Sequence, residues 1–227
     1  MNPKHLFQKI VSFPVTLLLA LGLAAPLEAG EQFTQEEIAS SPYLQSVLRR
    51  MDERYDTSKF RKKGPYRIAL AAQGTSNSWS ALFDEHAVSY AKELGKEVIE
   101  ELLYADAQAS ADNQIPQVED LLAQEPDALI LVPMGAAALT SSVERAMAEG
   151  VPVVLCASAV ETDNFVTEVG TNLYASGAGL AQYLVDKLGG KGNVLMMTGI
   201  PGTSTSDIME AGAKAAFKKH PGIKLID

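Results

Sequence analysis

Between Gln73 and Trp79 the chain reads Gln-Gly-Thr-Ser-Asn-Ser-Trp, a set of neutral amide, hydroxyl and indole groups on one loop. Such groups can bind a neutral hydroxylated solute, with an aromatic ring against its C–H face and amides on its hydroxyls. The same residues have a purely structural reading, in which Ser76 or Asn77 caps a helix and Trp79 packs in the core. A second loop, residues 199–206, is also rich in glycine and hydroxyl groups. It can present amide donors to an oxygen-rich ligand at a helix N-terminus, or it can be an ordinary Gly-Pro turn with Ser206 as cap and Asp207 on the positive end of the helix dipole.

Motifs for covalent chemistry are scarce. The first βα turn has no G-x-G-x-x-G, no lysine follows the glycines of 199–206 as in a Walker loop, and no G-x-S-x-G elbow occurs. Cys156 is the lone cysteine, follows an apolar run and reads as a buried structural thiol rather than a nucleophile. One cysteine and three scattered histidines give neither a disulfide framework nor a metal site. His86 reads as a partly exposed helix residue, and Asp84 and Glu85 as solvated helix charges. These observations point to a binding protein, not an enzyme, with no cofactor.

Several elements must position these groups. Tyr66, Ile68 and Leu70 alternate and run into Ala71-Ala72, the pattern of a strand, before the polar loop; a helix over 79–94 follows and ends at Gly95. A strand over 97–104, a helix over 111–124 despite Pro116, and the continuous apolar run 128–132 come next. Such a run fits a parallel strand covered on both faces. Then follow a helix over 137–149 capped by Gly150, strands over 151–155 and 165–169, a helix over 173–188, a strand over 193–198, a helix over 207–219 and a strand over 223–226. Alternating β and α units predict doubly wound parallel α/β sheets, with ligands beyond the carboxyl ends of the strands.

The chain has 227 residues, 47% of them hydrophobic and 21% charged, with net charge −9. Residues 1–29 carry Lys4, Lys9 and Glu28, a net +1, so the remainder carries −10. An acidic body without a basic block argues against nucleic acid and anionic membranes as partners. Lys4, His5 and Lys9 precede a broken apolar run over 10–25, and small residues end at Ala29. This is the pattern of a secretory signal peptide. Residues 30–65 form a polar lead-in with a short amphipathic helix (Leu44, Val47, Leu48, Met51, Tyr55), and 59–63 is a basic stretch read as a solvated linker.

From Tyr66 to the end, the sequence resembles the periplasmic solute-binding proteins of ABC-type sugar importers, the ribose-binding-like class. The resemblance is carried by Arg67-Ile68-Ala69-Leu70 leading to Asn77-Ser78-Trp79, by Gln117-Val118-Glu119-Asp120-Leu121-Leu122, and by Pro126-Asp127-Ala128-Leu129-Ile130-Leu131-Val132-Pro133. It continues through Gly150-Val151-Pro152-Val153-Val154, Val169-Gly170-Thr171-Asn172 and Gly199-Ile200-Pro201-Gly202-Thr203-Ser204. It implies two α/β lobes closing on one small solute: lobe one over 66–172, and the start of an incomplete lobe two over 173–227. It further implies a periplasmic location, a membrane permease as partner, and a sugar or similar polar solute as ligand. A ligand-sensing domain of the same fold is the alternative, and a periplasmic α/β enzyme a more distant one. By resemblance Asn77 and Trp79 hydrogen-bond and stack on the solute, and Gln73 lies on the same loop. Asn172, where the chain crosses between lobes, lines the cleft or fixes the crossing.

Two departures bear on specificity. Where many sugar-binding members carry an Asp-Arg pair after the fourth strand, this chain has Ala157-Ser158. Where they place an arginine on the helix after the Gly-rich loop, it has Asp207 or Ile208. Loss of these charged groups points away from ribose and toward a cationic, less hydroxylated or more apolar solute, with Ser158 in the wall of the cleft and Asp207 as counter-charge. The length, short for two full lobes, reads as a fragment or truncated gene product. Alone it is expected to bind weakly and to associate through open sheet edges.

Overall fold

Five parallel strands form the larger sheet, and each overlaps a strand expected from the sequence. In the computed structural model, which describes residues 55–200 and 202–226, these are β1 (Tyr66–Ala72), β2 (Ile99–Asp106), β3 (Ala128–Leu131), β4 (Val153–Cys156) and β5 (Thr167–Val169). The expectations for the signal peptide and for most of the lead-in helix fall on residues 1–54, outside the described residues. The described residues belong to one of two compact units of the chain, 49–227.

The strand order is β2-β1-β3-β4-β5 and every pairing is parallel. Leu70 at the centre lies opposite Tyr104 on one side and Ile130 on the other. Parallel neighbours require crossovers, supplied by α1 (Ser78–Leu94), α2 (Ala111–Leu122) and α3 (Ala136–Ala148). The core sits between β3 and β4 and helices α2 and α3, with Leu129, Leu131, Leu155, Val118, Leu139 and Val143 fully buried. Residues of β3 alternate, Ala128 and Ile130 being half-buried. That differs from a strand covered equally on both faces: α2 and α3 close one face, and α1 packs chiefly on β2.

A smaller parallel sheet pairs β6 (Gly192–Leu195) with β7 (Ile223–Ile226), Val194 standing opposite Leu225. Its helices α4 (Leu173–Lys187) and α5 (Ser204–Lys218) enclose Ala181, Val185, Val194, Ala216, Phe217 and Ile223. They cross closely at two glycines. A methyl group added at Gly177 would overlap the Met209 carbonyl oxygen, and one at Gly212 the Tyr174 carbonyl oxygen.

Four sequence expectations are corrected. Asp84 is buried, because Tyr104 Oη donates to its carboxylate at 2.9 Å across from β2. The strand expected over 193–198 stops at Leu195, which pairs with Ile226, the last described residue of β7. Helix α5 starts at Ser204 and not at Asp207, since Thr203 rather than Ser206 is its cap and accepts from the Ser206 amide at 3.4 Å. The basic stretch before β1 is more than a solvated linker: Lys62 pairs with Asp127 at 2.7 Å, and Lys59 lies over the rings of Tyr55 and Phe60.

Candidate functional site

The carboxyl ends of β1, β4 and β5 point toward the same side of the sheet, as parallel pairing demands; Gln73, Asn77 and Trp79 follow β1, Ser158 follows β4 and Asn172 follows β5, whereas Asp207 lies on α5, after β6 of the smaller sheet. Gln73 directly follows β1, half-buried, its carbonyl accepting from the Ala109 amide at 2.8 Å. Gly74 has φ +117°, and a side chain there would meet Ala109, Asp106 and Gln108. Only glycine lets this loop lie against the loop after β2.

Asn77 adopts an extended backbone and caps α1, its side-chain oxygen accepting from the Ser80 amide at 3.0 Å. The cap commits the oxygen and fixes the side chain; the amide nitrogen on the same group is what can donate to a solute. Trp79, two residues on, is 50% exposed and stacks on Phe83 with ring centroids 5.5 Å apart and planes 18° from parallel. The core reading of Trp79 therefore does not describe its position. One face of the indole is supported by a phenyl ring, and half of its surface stays open to solvent. An aromatic plate held in this way suits stacking on an apolar ligand face.

Ser158 is 3% exposed, and its hydroxyl meets Thr205 Oγ1 at 2.8 Å. Thr205 Oγ1 also donates to the Ala157 carbonyl at 3.2 Å, which makes the Ser158 hydroxyl the donor between the two. Beside them the Ala159 amide donates to Ser204 Oγ at 2.7 Å, and the Ala136 amide to the Gly202 carbonyl at 3.3 Å. Ser158 is thus occupied by α5. Asn172 caps α4, accepting from the Ala175 amide at 2.9 Å through its side-chain oxygen. Asp207 is exposed in the first turn of α5, where the helix dipole favours a carboxylate.

Sequence reading missed two residues. Gln114 is fully buried at the start of α2. Its side-chain nitrogen donates to the Val132 carbonyl at 2.9 Å and lies within 3.4 Å of the Ala71 and Ala72 carbonyls, while its oxygen accepts from the Met134 amide at 2.7 Å. One amide therefore ties the end of β1 to the end of β3. The signal was present: Gln114 lies four and seven residues before Val118 and Leu121, on the inward face of the helix. Asp84 is the other. Burial raises its pKa, the Tyr104 hydroxyl opposes that, and the Asp106 charge adds to it. Tyr104 is itself pushed up by burial and by the bond to Asp84. Burial, with the charge of Glu168, also raises the Cys156 thiol, which keeps it protonated at neutral pH. Among the described residues no three His, Cys, Asp or Glu side chains cluster to hold a metal.

Residues 68–227 match the family model of the periplasmic binding protein domain. The chain belongs to the periplasmic binding protein family. Its curated relatives include a xylitol-binding protein of Mycolicibacterium smegmatis, 33% identical over 126 residues that make up 56% of this chain and 36% of the relative. The ribose import binding protein RbsB of Bacillus subtilis is 32% identical over 144 residues, 63% of this chain and 46% of that one. Among solved structures, the fructose-binding periplasmic domain of the hybrid two-component system BT1754 superposes with TM-score 0.66 at 28% identity, over 71% of this chain and 53% of the other. A galactofuranose-binding protein does so with TM-score 0.66 and 28% identity, over 71% and 55%. This periplasmic binding protein spans about half the length, or less, of these relatives.

Proposed function

We propose that this chain captures a sugar or similar small polar solute as part of the substrate-binding component of an ABC-type importer, exported to the periplasm by residues 1–29 and presented to a membrane permease. In this reading residues 66–172 form lobe one, residues 173–227 begin lobe two, 30–65 are a lead-in, and the protein carries out no covalent chemistry. The observation that carries it is Trp79, half-exposed on a phenyl support, two residues after the capping amide of Asn77 at the carboxyl end of β1. Gln73 and Asn172 contribute amides beyond the carboxyl ends of β1 and β5. Asp207 supplies the exposed carboxylate that turns the site toward solutes with a hydroxyl or ammonium donor. Relatives named for xylitol and for ribose support the solute class.

The test uses tryptophan fluorescence and thermal shift with D-ribose, D-fructose, L-arabinose and xylitol. Trp79 is the single tryptophan, so any stacked solute should change its emission. If none of the four, nor a cationic polyol analogue, moves either the emission or the melting temperature, the assignment falls. A second reading, a ligand-sensing domain, draws on the similarity to the periplasmic domain of a hybrid two-component system. Solute-dependent rescue of import in a permease-bearing strain separates the two, since a sensor would bind without supporting uptake.

A further inference from the structure

The residues that follow β1 sit on two pieces of chain, the loop 73–77 and the first turns of α1, and β2 stands behind both. Asn77 closes its own helix. Its side-chain oxygen accepts from the Ser80 amide, and its carbonyl accepts from the Ala81 amide at 3.0 Å and the Ser80 hydroxyl at 3.2 Å. Asn77, Trp79 and Phe83 therefore move with α1 as one body. What ties that body to its surroundings is sparse. The buried residues of α1 are Ser80 and Asp84, both polar. Ser80 spends its amide and hydroxyl on Asn77, inside the cap. Among the described residues, the only hydrogen bond from α1 to another element is the one that Tyr104 Oη of β2 donates to Asp84 Oδ2 at 2.9 Å.

Tyr104 and Asp106 are two residues apart on β2, so they share a face of the sheet, opposite Leu70 and Ala72 of β1. Asp106 backs the loop: its Oδ1 accepts from the Gln108 amide at 2.7 Å and would lie 2.9 Å from a methyl group at Gly74. Tyr104 holds the helix. One strand thus spaces loop and helix, although it supplies none of the candidate solute contacts. The acceptor is a carboxylate only 6% exposed, and a hydrogen bond to a charged group is roughly twice as strong as a neutral one. The titratable groups facing Asp84 are Tyr104 and Asp106, and among the described residues no cationic side chain pairs with it. Asp84 directly follows Phe83, the ring on which Trp79 stacks. We infer that Asp84 and Tyr104 are positioning residues for the solute site, their bond setting where α1, and with it the Trp79–Phe83 plate and the Asn77 amide, stands over the end of β1. The inference rests on the solute-binding reading for its effect on affinity, and on the geometry alone for the placement of the indole.

Asp84→Asn and the double variant Asp84→Asn with Tyr104→Phe test this on the chain recovered from periplasmic extract. Neither leaves a buried charge without its donor. The side-chain oxygen of Asp84→Asn still accepts from Tyr104, whereas the double variant has lost the bond; Asp84→Leu removes it a second way. Acrylamide quenching of Trp79, the single tryptophan, and the near-ultraviolet dichroism of its stack with Phe83 report the plate, and far-ultraviolet dichroism checks folding. Asp84→Asn should keep wild-type values. The double variant and Asp84→Leu should quench faster and lose the near-ultraviolet signal. They should bind whichever of D-ribose, D-fructose, L-arabinose or xylitol the wild type binds about tenfold more weakly, as when one bond to a charged group no longer holds the competent conformer. Folded double and Asp84→Leu variants with wild-type Trp79 signals would overturn the inference, even if their urea midpoints fall, since that is the mark of a bond that only stabilises. So would an Asp84→Asn as disturbed as the double variant, or a displaced indole with affinity unchanged. The Trp79 signals need no solute, so silence from all four solutes would sink the sugar assignment and leave the placement of the indole to be judged separately.

Discussion

Ser158 Oγ and Thr205 Oγ1 lie 2.8 Å apart, joining the loop after β4 to the first turn of α5 across 47 residues of sequence. Ser204 reinforces the junction through the Ala159 amide. Where a solute would draw hydroxyl donors from this loop, a threonine of the same chain already holds them.

Removing that junction should loosen α5 without unfolding the larger sheet. Ser158→Ala with Thr205→Val should leave the thermal transition of the five-stranded sheet in place, and should speed labelling of Cys156, the only thiol, at the adjoining end of β4. Ellman's reagent under native conditions measures it. Labelling at the wild-type rate would show that the junction does not restrain α5.

Replacing Trp79 should affect binding as well as folding. The Trp79–Phe83 stack adds about 0.5–1.5 kcal/mol to the half of the side chain that is buried, so Trp79→Ala should cost about 1–3 kcal/mol in urea denaturation. Affinity for whichever of D-ribose, D-fructose, L-arabinose or xylitol binds should fall by about 1–3 kcal/mol, the scale of withdrawing a large apolar contact. A several-kcal/mol loss of stability with affinity unchanged would return Trp79 to the core.

Gln114→Leu should be costly. It leaves the Met134 amide and the Val132 carbonyl without their partner in a fully buried site, and unsatisfied buried groups cost about 1–3 kcal/mol each. Urea midpoints should show a loss of about 2–4 kcal/mol, with Gln114→Glu no remedy, since a carboxylate donates nothing to Val132.

Acid should remove the contribution of Asp127. Burial raises the pKa of Asp127, but the Lys62 ammonium and the Arg67 amide outweigh burial and hold it below the ordinary value. Its stabilisation is therefore complete above the unfolded-state pKa of about 3.9 and is lost as pH falls through the lower folded value. Asp127→Asn should be less stable than wild type by about 1 kcal/mol near neutrality, the gap closing below pH 4. Asp84 acts oppositely: with a raised pKa it takes up its proton in the fold first, and the fold gains from that as pH falls toward 4. Chemical denaturation of wild type and Asp127→Asn from pH 3 to 7 separates the two carboxylates.

Much of the larger sheet is legible in sequence because its signals are local. The apolar run at 128–131 needs only its own residues to read as a strand, and Asn77 and Gly95 mark the ends of α1 within a few positions. What was not legible depends on partners far away in sequence. Asp84 looks like a solvated helix charge until Tyr104, on another element, is brought to it. The start of α5 is ambiguous because Thr203, Ser204, Thr205 and Ser206 are four hydroxyl residues in a row, each able to cap. Tertiary contacts decide: Ser204 and Thr205 are engaged by Ala159, Ala157 and Ser158, which leaves Thr203 at the cap. The sequence points to Ser158 as part of an open wall for the same reason, since nothing near it in the chain announces Thr205.

The hold of Gln114 on the ends of β1 and β3 has a kinetic meaning. Those two strand ends acquire their spacing when the chain folds, not when a solute arrives. If a solute is captured beside Trp79 as proposed, it meets a floor already set by this amide, and its capture involves no reordering of the ends of β1 or β3.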